Sequence, residues 1–127
     1  MQGSLMAKRV LIADDEPNIV MSLEFLMEQA GFEVKVAASG QEALDLAASF
    51  RPDLVLLDVM FPVKSGYEVC QRLKSDPATR AIKVVMLSAK GRDVEVAKGL
   101  ELGADAYVVK PFSTRELVAK VRDMLGA

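Results

Sequence analysis

Four short apolar runs in this chain end in residues that can do chemistry. Residues 9–13 (RVLIA) lead into Asp14 and Asp15, 54–57 (LVLL) into Asp58, 84–87 (VVML) into Ser88, and 106–109 (AYVV) into Lys110-Pro111. If the runs are parallel strands of one sheet, three carboxylates, a hydroxyl and an ammonium meet at its carboxyl edge. Carboxylates that close repel. At an effective dielectric near 20, each pair at about 4 Å costs on the order of 4 kcal/mol. Either their pKa values rise or a cation sits among them. Mg²⁺ suits such a cluster, with Mn²⁺ as its substitute, because it prefers oxygen ligands and commonly binds through one or two carboxylates plus phosphate oxygens. With Lys110 as a further positive charge and Ser88 as a donor, the set can stabilise a phosphoryl group in transfer. Asp58 is then a candidate nucleophile that becomes an aspartyl-phosphate.

The rest of the composition narrows the chemistry. There is no histidine, so Ser-His-Asp and Cys-His catalysis, His-ligated metal and a phospho-histidine on this chain are excluded. The single cysteine, Cys70, cannot form an intramolecular disulfide; it falls in a predicted helix, where the plain expectation is a small buried hydrophobe. A chain of this kind is expected in the cytoplasm. The net charge of −2 comes from both signs spread along 127 residues, with no basic block to suggest direct nucleic-acid binding. No apolar run approaches the roughly 20 residues of a membrane span. Residues 1–6 (MQGSLM), with a second methionine at Met6, read as an expression leader, and 7–127 as one domain.

The pattern predicts five strand–helix pairs. The first helix is expected over 15–30, with Pro17 in its first turn, Asp15 and Glu16 at the positive end of its dipole, and Gly31 as its stop. The alternating run 33–37 (EVKVA) reads as a half-buried strand near a sheet edge. Ser39-Gly40-Gln41-Glu42 is a capping box that opens a helix to about Phe50. The unbroken run 54–57 reads as a strand buried on both faces. A loop with Pro62 and Gly66 leads to a helix over 66–74, followed by a strand at 83–87, a helix over 92–102 closed by Gly103, and a strand at 106–109. Ser113-Thr114-Arg115-Glu116 is a second capping box, for a helix reaching about Leu125. This βα rhythm implies an α/β fold: a five-stranded parallel sheet of order 2-1-3-4-5 with five helices on its two faces, of the flavodoxin-like type. In such sheets the site lies beyond the carboxyl ends of strands 1 and 3, where Asp14, Asp15 and Asp58 stand.

The acidic pair in LIADDEP, the aspartate in LVLLDVMFPVKSG, the hydroxyl in VVMLSAK and the lysine in AYVVKPF, in that order over about residues 8–125, resemble the receiver domain of bacterial two-component response regulators. The resemblance implies phosphorelay signal transduction. Asp58 would accept a phosphoryl group from the phospho-histidine of a sensor kinase or phosphotransfer protein. Asp15 and Asp58 would hold Mg²⁺ directly, Asp14 through water, and the backbone carbonyl of Met60 would complete the protein ligands. Lys110 would pair with the phosphate, on a cis Lys110-Pro111 bond, and Ser88 would hydrogen-bond the phosphate in the active state. Tyr107 would rotate inward with it and switch the face made by helix 4, strand 5 and helix 5. Such a domain is a phosphoacceptor that assists its own phosphorylation and slow dephosphorylation rather than an enzyme with a substrate of its own. The segment GLELGADAYVVKPF resembles receivers of winged-helix transcription factors, which implies homodimerisation through that face. Ala106 follows Asp105 where many of those carry a second acid.

Plainer readings exist for each residue. Asp14 and Asp15 could cap the first helix, Ser88 could be a turn hydroxyl, and Tyr107 a core aromatic. Three alternatives for the whole differ in kind. An aspartyl-phosphate phosphatase usually needs an acid two residues after the nucleophile, where this chain has Met60. A flavin or nucleotide module would need a Gly- or Ser/Thr-rich loop after strand 1. A degenerate scaffold receiver would lack some of the intact set. Phe61 stands where many relatives have methionine. Met60 and Lys90, the positions that modulate hydrolysis in such domains, offer no water-positioning acid or amide, so a phosphate lifetime of minutes or longer is expected.

Overall fold

The computed structural model describes residues 7–60, 65–88 and 93–126. Among the described residues ten elements alternate: β1 Arg9–Ala13, α1 Pro17–Gln29, β2 Glu33–Ala37, α2 Gly40–Ser49, β3 Leu54–Asp58, α3 Gly66–Ser75, β4 Lys83–Ser88, α4 Asp93–Glu101, β5 Ala106–Val109 and α5 Thr114–Leu125. The strands form one parallel sheet in the order β2-β1-β3-β4-β5, as the βα rhythm predicts.

Successive strand residues face opposite sides of the sheet, and both sides are covered. On one side Leu11, Val55, Leu57, Val84 and Met86 pack with Ala43 and Ala47 of α2 and Val69, Cys70 and Leu73 of α3. On the other, Val10, Ile12, Leu54, Leu56, Val85 and Leu87 pack with Leu23 and Met27 of α1 and Leu117, Val118 and Val121 of α5. Hence β3 is buried at every position, whereas β2, at an edge, alternates between exposed and partly buried until Ala37. Fully burying each large aliphatic side chain here contributes about 1.5–3 kcal/mol, which holds the strand ends in fixed register.

The helix starts follow from caps. Ser39 accepts a hydrogen bond from the Glu42 N–H, Ser65 from the Glu68 N–H, and Ser113 from the Glu116 N–H, each at 3.2 Å. The Ser65 cap, in Ser65-Gly66-Tyr67-Glu68, has the same spacing as the two capping boxes noted above. One expectation is corrected: α1 begins at Pro17, not at residue 15, and its first turn holds no acid. Pro17 excludes helical backbone at the residue before it, so Glu16 is extended (φ −89°, ψ 105°) and Asp14 and Asp15 remain in the loop after β1. Helix α4 ends at Glu101 rather than at 102; its expected start at Arg92 lies outside the described residues, as do residues 1–6.

Lys74, at the end of α3, donates to the Asp105 carboxylate at 3.0 Å and to the Ile82 carbonyl at 2.8 Å. The same carboxylate oxygen accepts from the Val84 N–H at 2.8 Å. Asp105 is thereby committed inside the domain and fixes the approach to β5.

Candidate functional site

Strand register brings the chemistry together. Ala13 is level with Leu57, Asp58 with Leu87, and Ser88 with Val109. Asp14 and Asp58 are therefore level at the sheet's carboxyl edge, with Ser88 one residue and Lys110 two residues further along it. Two backbone hydrogen bonds extend the ladder there: Val59 N–H donates to the Leu87 carbonyl at 3.0 Å, and Lys110 N–H to the Ser88 carbonyl at 2.7 Å.

Asp14 and Asp58 are buried while Asp15 is exposed, and the three offer carboxylate oxygens all within 4.8 Å of one another. Lys110 is their counter-charge. Its Nζ lies 3.2 Å from Asp14 Oδ2, 3.3 Å from Glu16 Oε1 and 3.8 Å from Asp58 Oδ1. Asp58 Oδ1 also accepts from the Met60 N–H at 3.1 Å. Both contacts given for Asp58 among the described residues fall on Oδ1 and neither on Oδ2.

The electrostatics fit that division. Burial, and then the negative charge of Asp14, push the Asp58 carboxyl above the ordinary 3.8, against the pull of the Met60 N–H and Lys110. Burial alone would lower Lys110, but Asp14 and Asp58 outweigh it and the ammonium is held above its ordinary 10.5. Among the described residues, one ammonium thus stands against four carboxylates counting Glu16, and negative charge is in excess around Asp58. A hard divalent cation fits this donor set: its oxygen ligands sit at about 2.0–2.1 Å, so opposed ligands are roughly 4 Å apart, close to the spread of the three carboxylates.

Asp14, Asp15, Asp58 and Lys110 are assembled into one cluster. Ser88 is fully buried at the end of β4, one strand from Asp58. Met60 is 62% exposed and touches Asp58 through its N–H. The Lys110–Pro111 peptide is cis. Tyr107 sits on β5, one strand further away, and its ring packs on Gly99 of α4. Tyr107 is hydrogen-bonded to Tyr67, whose hydroxyl donates to the Glu95 carbonyl at 3.4 Å; burial first, then Tyr107, push the Tyr67 phenol up to about 12. Phe61, Pro62 and Lys90 lie outside the described residues. Cys70 is fully buried and its thiol is pushed up to about 11, chiefly by burial, which makes it a packing residue and not a nucleophile. Two residues of the region were not singled out by motif. Glu16 is an acid directly after the acidic pair, and Gly66 packs on the backbone of Asp58 and Val59.

A groove of about 540 Å³ lies elsewhere, between α1 and α5, lined by Leu26, Ala30, Val118 and Arg115 among others. The carboxylate cluster is not part of that groove and stands at the carboxyl edge of the sheet. No helix among the described residues is long and apolar enough to cross a membrane.

Comparison with known proteins agrees with this geometry. A family model for the response regulator receiver domain matches residues 10–122. A putative response regulator from Chloroflexus aurantiacus is 37% identical, with 95% of this chain and 99% of that chain covered and a TM-score of 0.88. The signal receiver domain of a signal transduction histidine kinase from Syntrophus aciditrophicus is 32% identical, with 94% and 91% covered and a TM-score of 0.86. The signal receiver domain of a DNA-binding response regulator protein from Colwellia psychrerythraea is 28% identical, with 94% and 99% covered and a TM-score of 0.87.

Proposed function

The chain belongs to the response regulator receiver domain family, and on that footing we propose that it is the phosphoacceptor of a two-component phosphorelay, with Asp58 as the residue that is phosphorylated. One observation carries this reading: the Lys110 ammonium stands 3.8 Å from Asp58 and 3.2 Å from Asp14 at the carboxyl edge of the sheet, although it is 96 residues from Asp14 in the chain. In the proposed step, Asp58 Oδ2 attacks the phosphorus of a phospho-histidine on a partner kinase or phosphotransfer protein. The new O–P bond forms as the P–N bond breaks, and the partner's imidazole leaves with the electron pair and takes up a proton. Lys110 holds a phosphoryl oxygen during transfer, and the Met60 N–H fixes Asp58 Oδ1 so that Oδ2 is presented.

Asp15, Asp58, Asp14 through water, and the Met60 carbonyl would hold a divalent cation, Mg²⁺ with Mn²⁺ as its substitute. When bound, that ion supplies positive charge for the phosphoryl oxygens. The chain catalyses no turnover of a separate substrate in this reading; it assists its own phosphorylation and slow dephosphorylation.

Phosphorylation adds roughly −1.5 to −2 charge and three acceptor oxygens next to Ser88 and Lys110. Drawing Ser88 towards the phosphate shifts the end of β4, and with it Tyr107 and the face of α4, β5 and α5. Leu100 of α4 and Val109 of β5 are 47% and 41% exposed on elements of that face, which supports its use as a binding surface, for a second copy or another partner. Asp105 does not join such a surface, because Lys74 and Val84 already engage its carboxylate.

The test is phosphorylation by acetyl phosphate with Mg²⁺, followed by intact mass. The wild-type chain gains one phosphoryl group and Asp58→Asn gains none. Undiminished labelling of Asp58→Asn would overturn the assignment.

A further inference from the structure

We propose that Glu16 is a donor-selectivity residue, an electrostatic guard that disfavours small anionic phosphodonors at Asp58. The inference rests on the reading of Asp58 as the acceptor.

Glu16 occupies the N-cap position of α1, where a side chain ordinarily bonds the free N–H groups of the first turn. It makes no such cap bond. Its carboxylate reaches instead to Lys110, 94 residues on, at 3.3 Å. The loop is shaped for this reach. Asp14 Oδ1 accepts the Glu16 N–H at 2.9 Å, and the Glu16 carbonyl accepts from the Val20 N–H at 3.0 Å. Both backbone groups of Glu16 are thereby engaged, and only its side chain is left to point at the cluster.

Two consequences follow for an incoming phosphoryl group. Lys110 is closer to Asp14 and Glu16 than to Asp58, at 3.2 and 3.3 Å against 3.8 Å, so two of its three N–H donors are drawn away from Asp58 and a phosphoryl oxygen competes with those pairs for the ammonium. The Glu16 side chain is also 58% exposed, whereas that of Asp14 is fully buried, so Glu16 places its charge at the mouth of the site rather than in its floor. A small dianionic donor meets that charge, which Lys110 offsets only in part because it also pairs with Asp14. A protein donor can bring its own basic side chains to the same mouth, and so pass where the small donor is repelled.

The test compares initial rates of Asp58 phosphorylation by acetyl phosphate, a dianion, and by phosphoramidate, which carries one negative charge less, in saturating Mg²⁺. Glu16→Gln should accept acetyl phosphate about three- to tenfold faster at low salt, the size of effect one partly screened charge gives against a dianion. The gain should be smaller with phosphoramidate and should shrink as salt rises towards about 1 M, where the Debye length is near 3 Å. Glu16→Asp, which keeps the charge, should stay closer to the wild type than Glu16→Gln does. A purely structural role for Glu16 would alter both donors alike and would not depend on salt. An unchanged or slower acetyl phosphate rate in Glu16→Gln, or equal gains with the two donors, overturns the inference while Asp58 labelling stands. Absence of Asp58 labelling in the wild-type chain overturns the acceptor reading, and this inference with it.

Discussion

Gly66 opens α3 packed directly on the carbonyl of Asp58: a methyl group built on its α-carbon would collide with that oxygen and would lie 2.8 Å from the Val59 α-carbon. The Gly66 N–H donates to the Val59 carbonyl at 2.9 Å, so the start of α3 is pinned to the end of β3. The obstacle is backbone, which cannot rotate aside as a side chain can. Gly66→Ala should therefore displace the Asp58 main chain and cost about 1–3 kcal/mol, the range for overpacking a closed contact. Urea denaturation measures the loss, and Asp58 labelling by acetyl phosphate should slow in the same variant. A variant as stable and as reactive as the wild type would show that the loop is free to move away.

Asp58 ties stability to pH. Its carboxyl is held above the ordinary 3.8, first by burial and then by Asp14. A carboxyl raised on folding adds stability only while it is protonated. That contribution is complete below about pH 3.8, the unfolded value, and is lost as pH rises through the folded value. In buffer free of divalent cations, Asp58→Asn should thus be more stable than the wild type at pH 7, by about 1 kcal/mol, as one partly offset like-charge contact costs. The difference should close as pH falls below 4. Chemical denaturation at several pH values checks both the sign and the window, and a gap that widens in acid would contradict the burial argument.

Much of this site was legible before folding because it depends on strand register. Asp14, Asp58, Ser88 and Lys110 each follow an apolar run, and parallel pairing brings the run ends to within two residues of one level. Residue type and position after a run were then enough. Glu16 was not legible in the same way. Next to Pro17 it looks like an acid at a helix start, and its pairing with Lys110 exists only after the first and last strands are placed in one sheet. The start of α1 moved because Pro17 acts on the residue before it, a local rule that outweighed the reading of Asp15 and Glu16 as acids at the positive end of the helix dipole. Gly66 showed only a missing side chain, and the backbone it packs on lies across a loop. The ring of Tyr107 has a direction that no spacing encodes.

Divalent cations should stabilise the chain, since three carboxylates with oxygens within 4.8 Å gain from a shared positive charge. At a concentration one hundred times its Kd, a ligand bound only to the folded state adds about 2.7 kcal/mol. For a domain of this size that corresponds to roughly 5–10 °C in Tm. Mg²⁺ should give this shift in differential scanning fluorimetry, K⁺ at equal ionic strength should not, and EDTA should reverse it. Asp15→Asn should lose most of the response, as it removes one carboxylate while leaving Asp14, Asp58 and Lys110 in place. An equal Mg²⁺ shift in Asp15→Asn would place the ion elsewhere.

The two phenols of the chain report on the contact between β5 and the start of α3. Tyr67 is hydrogen-bonded to Tyr107 and donates to the Glu95 carbonyl at 3.4 Å, while the Lys98 ammonium lies 4.5 Å from the centre of the Tyr67 ring. Burial raises the Tyr67 phenol most and Tyr107 next, to about 12 from an ordinary 10.0. Tyr107→Phe keeps a ring on Gly99 and removes only the hydroxyl. The Tyr67 midpoint should then fall below 12 without reaching 10, because burial is the larger cause and survives the change. The chain has only two tyrosines, so in this variant ring signals from tyrosine-labelled protein belong to Tyr67 alone, and an NMR titration reads its midpoint directly. Comparing the Tyr67 ring shifts of phosphorylated and unphosphorylated chain near neutral pH, where the acyl phosphate survives, tests the switch itself. If Tyr107 turns away from Tyr67 when Asp58 is phosphorylated, those shifts should move towards their positions in Tyr107→Phe. Unmoved shifts would mean that the Tyr107 hydroxyl stays on Tyr67 in both states.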